Sequence, residues 1–349
     1  MSGLSGIEGS HLGGLVVWAQ FLACAALIVY SGSRLAWYAD LMAEKTGLGR
    51  TWIGVVLLAT MTSLPELLTV SVAVTAADVP DIAAGDIFGA CVFNLMIIAI
   101  LDLAFRPGPV LSRAEQGHIL SAGFGILMLT LWGMGLFAAM KGVSPSLGWV
   151  GLYTPVNLVI YFVAIRMIFR MEKRKMAASL KSLAKHEGIP APLLYRRLGL
   201  HGTVIVAAAV LLPFAGKELA AVTGWGNTFV GTILIAMSTT LPEVVTSLAA
   251  LRIGAIDLAL GNLFGSILFN LMILSLGDLL YLPGPILSAV SETHLLPILS
   301  SILMSGIAVV SLLYQPEKKL LWTVSWISVL ILAVYLLTGL GIFVLETGG

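Results

Sequence analysis

Ten apolar stretches of about 20 residues, each long enough to cross a bilayer, run through this 349-residue chain. They cover residues 13–33, 52–76, 82–104, 117–140, 147–168, 199–215, 228–251, 256–280, 292–314 and 320–343. Unbroken apolar runs of this length are helical spans, because only a helix satisfies its own backbone within one segment. Composition agrees: with 58% hydrophobic and 11% charged residues, there are too few charges for a soluble protein's polar shell. The fold class is therefore an all-α polytopic membrane protein with the lipid bilayer as its principal partner.

The net charge of +1 says little, but its distribution is informative. The longest polar segment, 169–198, holds Arg170, Lys173, Arg174, Lys175, Lys181, Lys185, Arg196 and Arg197 against Glu172 and Glu187. Cytoplasmic loops collect Lys and Arg, so this loop is expected inside and the N-terminus, five spans earlier, outside. The same orientation places Arg34, Lys45, Arg50, Arg106, Arg113, Arg252, Lys318 and Lys319 inside, which accounts for sixteen of the nineteen basic residues. Lys141 and Lys217 fall outside, and Arg166 is expected to snorkel from its span to the inner surface. No Lys or Arg precedes Arg34, so a basic signal-peptide n-region is absent. Cys24 and Cys91 lie within spans, where a disulfide framework is not expected. Nothing resembles a nucleotide-binding or nucleic-acid-binding domain; oligomeric state is not legible.

The chain repeats itself. Gly47–Gly54 (GLGRTWIG) aligns with Gly224–Gly231 (GWGNTFVG) at an offset of 177, as do Thr62-Ser63-Leu64-Pro65-Glu66 and Thr239-Thr240-Leu241-Pro242-Glu243. One residue of slippage then gives 176, pairing Gly85-Asp86-Ile87-Phe88-Gly89 with Gly261-Asn262-Leu263-Phe264-Gly265, and Asn94 with Asn270. Asp102 pairs with Asp278, Pro107-Gly108-Pro109 with Pro283-Gly284-Pro285, and His118 with His294. Five spans per copy force the second copy to enter from the opposite side. The expected organisation is two inverted repeats, 1–168 and 199–349, joined by the basic loop 169–198, with broken helices at the midplane. Inverted repeats of this kind are a transporter signature, with the site between the repeats.

The chemistry concentrates in the two Leu-Pro-Glu motifs. A carboxylate at membrane depth costs roughly 2.5–3.5 kcal/mol on insertion scales, so each is a functional candidate. Proline frees the carbonyl four residues earlier, at Met61 and Ser238. Thr62 and Glu66 share a helix face, as do Thr239 and Glu243. With Ser63 and Thr240, each motif offers hard oxygen donors suited to Ca²⁺ and able to hold Na⁺. On the next span Asp86, Ala90 and Asn94 share a face, as do Asn262, Ser266 and Asn270. There is no His/Cys cluster for zinc and no phosphate loop; no enzyme and no resident cofactor are expected.

A single buried Glu can be a protonated structural residue and a lone Thr can bond its own helix; two matching sets weigh against both readings. Asp102, Asp278, His118 and His294 sit near span ends, where interfacial anchoring is expected. Asp86 has two readings: a helix-start residue, or a third charge near the site. An alternative from another class is an intramembrane metal or haem enzyme using His118 and His294.

Thr62–Glu66 followed by Gly85–Asn94, and Thr239–Glu243 followed by Gly261–Asn270, resemble the two α-repeats of the sodium/calcium exchanger family of cation/Ca²⁺ antiporters, prokaryotic type without a regulatory domain. The resemblance implies exchange of several Na⁺ for one Ca²⁺ by alternating access, in the inner or plasma membrane. It implies that Glu66 and Glu243 are shared between Ca²⁺ and Na⁺ sites and that Thr62 and Thr239 bind Ca²⁺. By the same resemblance Ser63, Thr240 and Ser266 supply hydroxyls, Ala59 and Ala236 carbonyls, and Asn94 and Asn270 occupy the centre. Three departures stand out: Met61 and Ser238 replace the usual Gly, Ala90 replaces a Ser, and Asn270 stands where many relatives have Asp. They imply unequal Na⁺ sites and keep an H⁺-coupled or other-cation antiporter of the same fold as the alternative.

Overall fold

The computed structural model describes residues 4–179, 190–223, 239–319 and 324–347, with side chains from part of that range. Eleven helices are labelled here in chain order. They are α1 (Leu4–Thr46), α2 (Arg50–Thr62), α3 (Leu64–Thr75), α4 (Pro80–Ala104), α5 (His118–Met140) and α6 (Tyr153–Ser179). There follow α7 (Ala191–Thr223), α8 (Leu241–Arg252), α9 (Ile256–Leu280), α10 (Leu295–Tyr314) and α11 (Trp326–Thr347). Among the described residues eight helices are long and apolar enough to cross a membrane, and α2 with α3, bent by 46°, makes a ninth span. The seventh expected span, 228–251, begins outside the described residues; its described part ends in α8.

Span boundaries moved in four places. The sixth span, expected over 199–215, lies inside the 33-residue helix Ala191–Thr223, which begins within the expected loop. The first span lies inside a 43-residue helix that continues to Thr46. The fifth starts at Tyr153 rather than 147, because Ser146–Leu147 and Val150–Gly151 pair as a short antiparallel hairpin. The tenth span, α11, starts at Trp326 rather than 320; residues 320–323 lie outside the described set.

The repeat register carries into the elements. Helices α3 and α8 are each 12 residues and begin and end 177 apart; α4 and α9 are each 25 residues and 176 apart. The Pro-Gly-Pro turns also match, with Gly108 at φ +150° and Gly284 at φ +156°, a backbone region that L side chains rarely adopt.

Helices α4 and α9 pack against each other at the centre. Buried residues make up 67% of the apolar segment of α4 and 78% of that of α9, against 22% for α1, α6 and α11, which turn large apolar side chains outward. Lipid provides little drive for apolar helices to associate, so close packing must hold this centre together. Glycine permits it: a Cβ on Gly265 would lie 2.5 Å from the Cα and carbonyl oxygen of Val55 on α2, and one on Gly261 would lie 2.8 Å from the Thr51 carbonyl. Between Ile53 and Leu58 the α2 backbone widens into a π-wound turn, the kind of local distortion that recurs at functional sites.

Candidate cation site

Pro65 and Pro242 stand at the second position of α3 and α8, where a missing amide donor costs least. Ser63, just before α3, leaves helical geometry at φ −95°, ψ 12°, whereas Thr240, just before α8, stays in the right-handed region at φ −91°, ψ 0°. Both motif glutamates fall in the first turn of their helix, at an N-terminus whose dipole favours negative charge.

Glu66 and Glu243 are fully buried. Ser63 Oγ donates to Glu243 Oε1 at 2.9 Å, and Ser266 Oγ donates to the same oxygen at 3.4 Å. Glu243 Oε2 and both carboxylate oxygens of Glu66 take no hydrogen bond. Asn94 on α4 and Asn270 on α9 are completely buried, and neither amide group has a partner. Buried polar groups are nearly always satisfied in folded proteins, so this concentration of unpaired oxygens marks a place meant for something else. A cation provides what these carboxylate and amide oxygens lack.

The remaining sequence candidates divide. Thr62 is buried, but its hydroxyl donates back to the Leu58 carbonyl at 3.1 Å and the Ala59 carbonyl at 3.3 Å. It also lies 3.3 Å from Asn262 Oδ1. The Ala59 carbonyl additionally accepts from Ser63 N at 3.0 Å. Thr239 and Thr240 are buried at the second break. Ala90 is buried on α4 and brings no hydroxyl. Ala236, with the Ser238 carbonyl, lies outside the described residues.

Three expectations need correction. Asp86 is not a helix-start residue, because α4 begins at Pro80; its Oδ2 is buried without a partner. Asp102 and Asp278 are buried rather than interfacial. Asp102 accepts from Val110 N (2.7 Å), Ser325 N (3.2 Å) and Ser328 Oγ (2.6 Å). Asp278 accepts from Ile286 N (2.7 Å), Gly151 N (3.0 Å), Thr154 Oγ1 (2.6 Å) and Tyr153 OH (3.3 Å). Each knots the end of its helix to the loop beyond and to a neighbouring span. The histidines are also not free anchors: His118 Nε2 lies 3.1 Å from Asp257 Oδ1, and His294 Nε2 lies 2.9 Å from Asp81 Oδ1. These are reciprocal cross-repeat pairs, since Asp81 and Asp257 are themselves 176 apart. Arg166 is exposed beside Arg170, Lys173 and Arg174.

Sequence reasoning missed Asn157, a buried amide on α6 with no partner, although an Asn in an apolar span was the available signal. It also missed the clamp around Asn262, whose Nδ2 donates to Thr246 Oγ1 and Ser247 Oγ, both at 3.0 Å. Among the described residues no group of three or more His, Cys, Asp or Glu side chains could hold a metal by itself.

Buried glutamates in the first turns of α3 and α8, linked through the Ser63–Glu243 bond and bordered by unpaired amides, are the arrangement of an ion transporter. Comparison with known proteins makes the class specific. The sequence profile described as sodium/calcium exchanger protein matches residues 16–170 and 197–341, and this chain belongs to that family, one of secondary antiporters. The inner membrane protein YrbG of Escherichia coli K12 is 27% identical over 277 residues, covering 78% of this chain and 82% of YrbG. The putative antiporter CaxA of Alkalimonas amylolytica is 26% identical over 278 residues, covering 78% of this chain and 83% of CaxA. A structure of the sodium-calcium exchanger NCX_Mj, soaked with Na⁺ and Sr²⁺, superposes with a TM-score of 0.71 at 21% identity, covering 93% of this chain and 98% of that one; it supports the fold.

Proposed function

We propose that the protein exchanges Na⁺ for Ca²⁺ by alternating access, in the inner or plasma membrane, through a site formed by both motifs. The observation that carries this reading is the Ser63–Glu243 bond joining two buried motifs whose remaining carboxylate oxygens are unpaired. Two carboxylates offset a divalent ion, and their oxygens with those of Asn94 and Asn270 are the hard donors that Ca²⁺ and Na⁺ take. Ser63, Thr240 and Ser266 add hydroxyl oxygens. Thr62 and Thr239 complete the set: the Thr62 hydroxyl spends its proton on its own helix but keeps lone pairs for a cation. Ala59 and Ala236 contribute carbonyls.

Strict exchange follows from the same electrostatics. An empty occluded site would hold two carboxylates with no counter-ion in low dielectric, at a cost of several kcal/mol per ion. Only a carrier loaded with Ca²⁺ or with Na⁺ crosses that barrier readily, so one ion's return is tied to the other's exit.

In this reading the chain has ten spans in two inverted repeats, 1–168 and 199–349, with the 169–198 loop cytoplasmic and the N-terminus outside. The matched ends of α3 with α8 and of α4 with α9 support the repeats. The exposed basic end of α6 supports the orientation. Ala90 and Asn270, which remove a hydroxyl and a charge, favour an H⁺-coupled variant as the second reading.

The test is ⁴⁵Ca²⁺ uptake into Na⁺-loaded proteoliposomes, set against K⁺-loaded vesicles carrying a pH gradient. Uptake driven only by the outward Na⁺ gradient is expected. Uptake driven only by the pH gradient selects the second reading, and uptake in neither removes Ca²⁺ as substrate.

A further inference from the structure

Asp86 and Asn262 occupy equivalent positions in the two repeats, yet they are used differently. Asn262 is spent on packing: its Nδ2 donates to Thr246 and Ser247, and its Oδ1 lies 3.3 Å from the Thr62 hydroxyl. That arrangement cannot be copied at Asp86. A carboxylate donates nothing, and the counterpart of Ser247 is Val70, which has no hydroxyl to take part in a hydrogen bond. Asp86 Oδ2 is left buried and unpaired.

Asp86, Thr239 and Thr240 lie at the polar edge of a cavity of about 440 Å³ whose remaining wall is largely apolar, with Phe93, Leu336 and Leu340 on it. That is the volume of about fifteen waters at about 30 Å³ each, room for a hydrated cation beside the carboxylate. Asp86 and Asn94 share a face of α4 eight residues apart, so Asp86 lies about 12 Å up the helix from the central amide. Ca²⁺–oxygen distances are about 2.3–2.6 Å, so one ion does not bridge that separation. Between them stands Ala90, which has no polar atom. The cavity is bounded by the start of α4, the start of α10 and the end of α11, which the proposed orientation puts outside.

We propose that Asp86, on the wall of this cavity, is an outer vestibule residue that holds a partly hydrated divalent cation before it passes Thr239 and Thr240 to reach Glu66 and Glu243. The proposal rests on the exchange reading. It makes the transporter one-sided: the vestibule carries a charge at the Asp86 face, whereas the equivalent Asn262 is neutral and occupied.

The test is exchange in proteoliposomes of defined orientation, with Ca²⁺ varied on one face at a time. Asp86→Asn is expected to raise half-saturating Ca²⁺ about 5- to 10-fold on the Asp86 face, the loss of one close charge from a divalent ion. The maximal rate and the opposite face should stay within about twofold, and Asp86→Glu should restore wild-type affinity. An equal shift on both faces, a lost maximal rate, or no shift overturns the proposal while wild-type exchange leaves the site reading intact. Wild-type protein that exchanges no Ca²⁺ sinks that reading instead. Should Asp86→Asn fail to fold, Tb³⁺ luminescence on the Glu66→Gln/Glu243→Gln double variant decides: weak saturable binding is expected, and its absence overturns the vestibule.

Discussion

Ser63 Oγ and Glu243 Oε1, 180 residues apart in sequence, are joined by a 2.9 Å hydrogen bond within the buried centre. Ser63 sits at the break before α3 and Glu243 in the first turn of α8, so the bond couples one motif's backbone kink to the other's charge. Ser63→Ala is expected to weaken cation affinity about tenfold, as for a hydrogen bond to a charged group. Ser266→Ala, which removes a 3.4 Å contact, should cost less. The Na⁺ and Ca²⁺ dependence of uptake measures both; a larger effect from Ser266→Ala contradicts the geometry.

Glu66→Gln and Glu243→Gln should each abolish Ca²⁺ transport, because an amide keeps the shape of the side chain and removes the charge. Both proteins should insert and run as single species on size-exclusion chromatography. Transport retained in both variants ends the assignment.

Ala90→Ser returns a hydroxyl to the face of α4 that carries Asn94. Half-saturating Na⁺ should fall several-fold if that oxygen completes a Na⁺ shell. Unchanged Na⁺ affinity counts against the inequality of the two Na⁺ sites.

Asp278→Asn turns an acceptor of four hydrogen bonds into a group that presents donors to donors. A destabilisation of about 2–4 kcal/mol is expected. Asp102→Asn should behave alike, since Asp102 accepts from Val110 as Asp278 accepts from Ile286, both at 2.7 Å. Thermal denaturation in detergent reads both; two unchanged midpoints would return these residues to the membrane interface.

Gly265→Ala places a methyl 2.5 Å from the Val55 backbone, where no side chain can yield. The crossing of α2 and α9 must widen, at about 1–3 kcal/mol for an overpacked contact. Gly89→Ala, its counterpart, has no described atom within 4 Å of the added carbon and should be close to neutral. Equal melting temperatures for the two variants contradict this packing difference.

Much of this was legible in the sequence because the bilayer is a severe solvent. A Glu following Pro in an apolar run has few innocent explanations, and its recurrence at a fixed offset has fewer. The end-to-end match of α4 with α9 was already implied by Gly85–Gly89 and Gly261–Gly265. Side-chain partners were not legible. Asp102 and His118 look like interfacial residues from their position near span ends, and only the neighbouring spans show that each is buried and claimed.

The sequence alone determined that this chain spans a membrane many times, that it is built from a repeated unit, and that each unit carries one Leu-Pro-Glu motif within an apolar run. Those properties are local: they depend on the length of apolar runs and on the backbone consequences of proline. Tertiary structure decided which polar groups pair across the repeats. Ser63 reaches Glu243, His118 reaches Asp257, Asn262 is clamped by Thr246 and Ser247, and Asp86 Oδ2 is left without a hydrogen bond. A hydrogen bond depends on an ångström of approach between helices far apart in sequence, and helical periodicity fixes the face a residue takes without fixing what meets it.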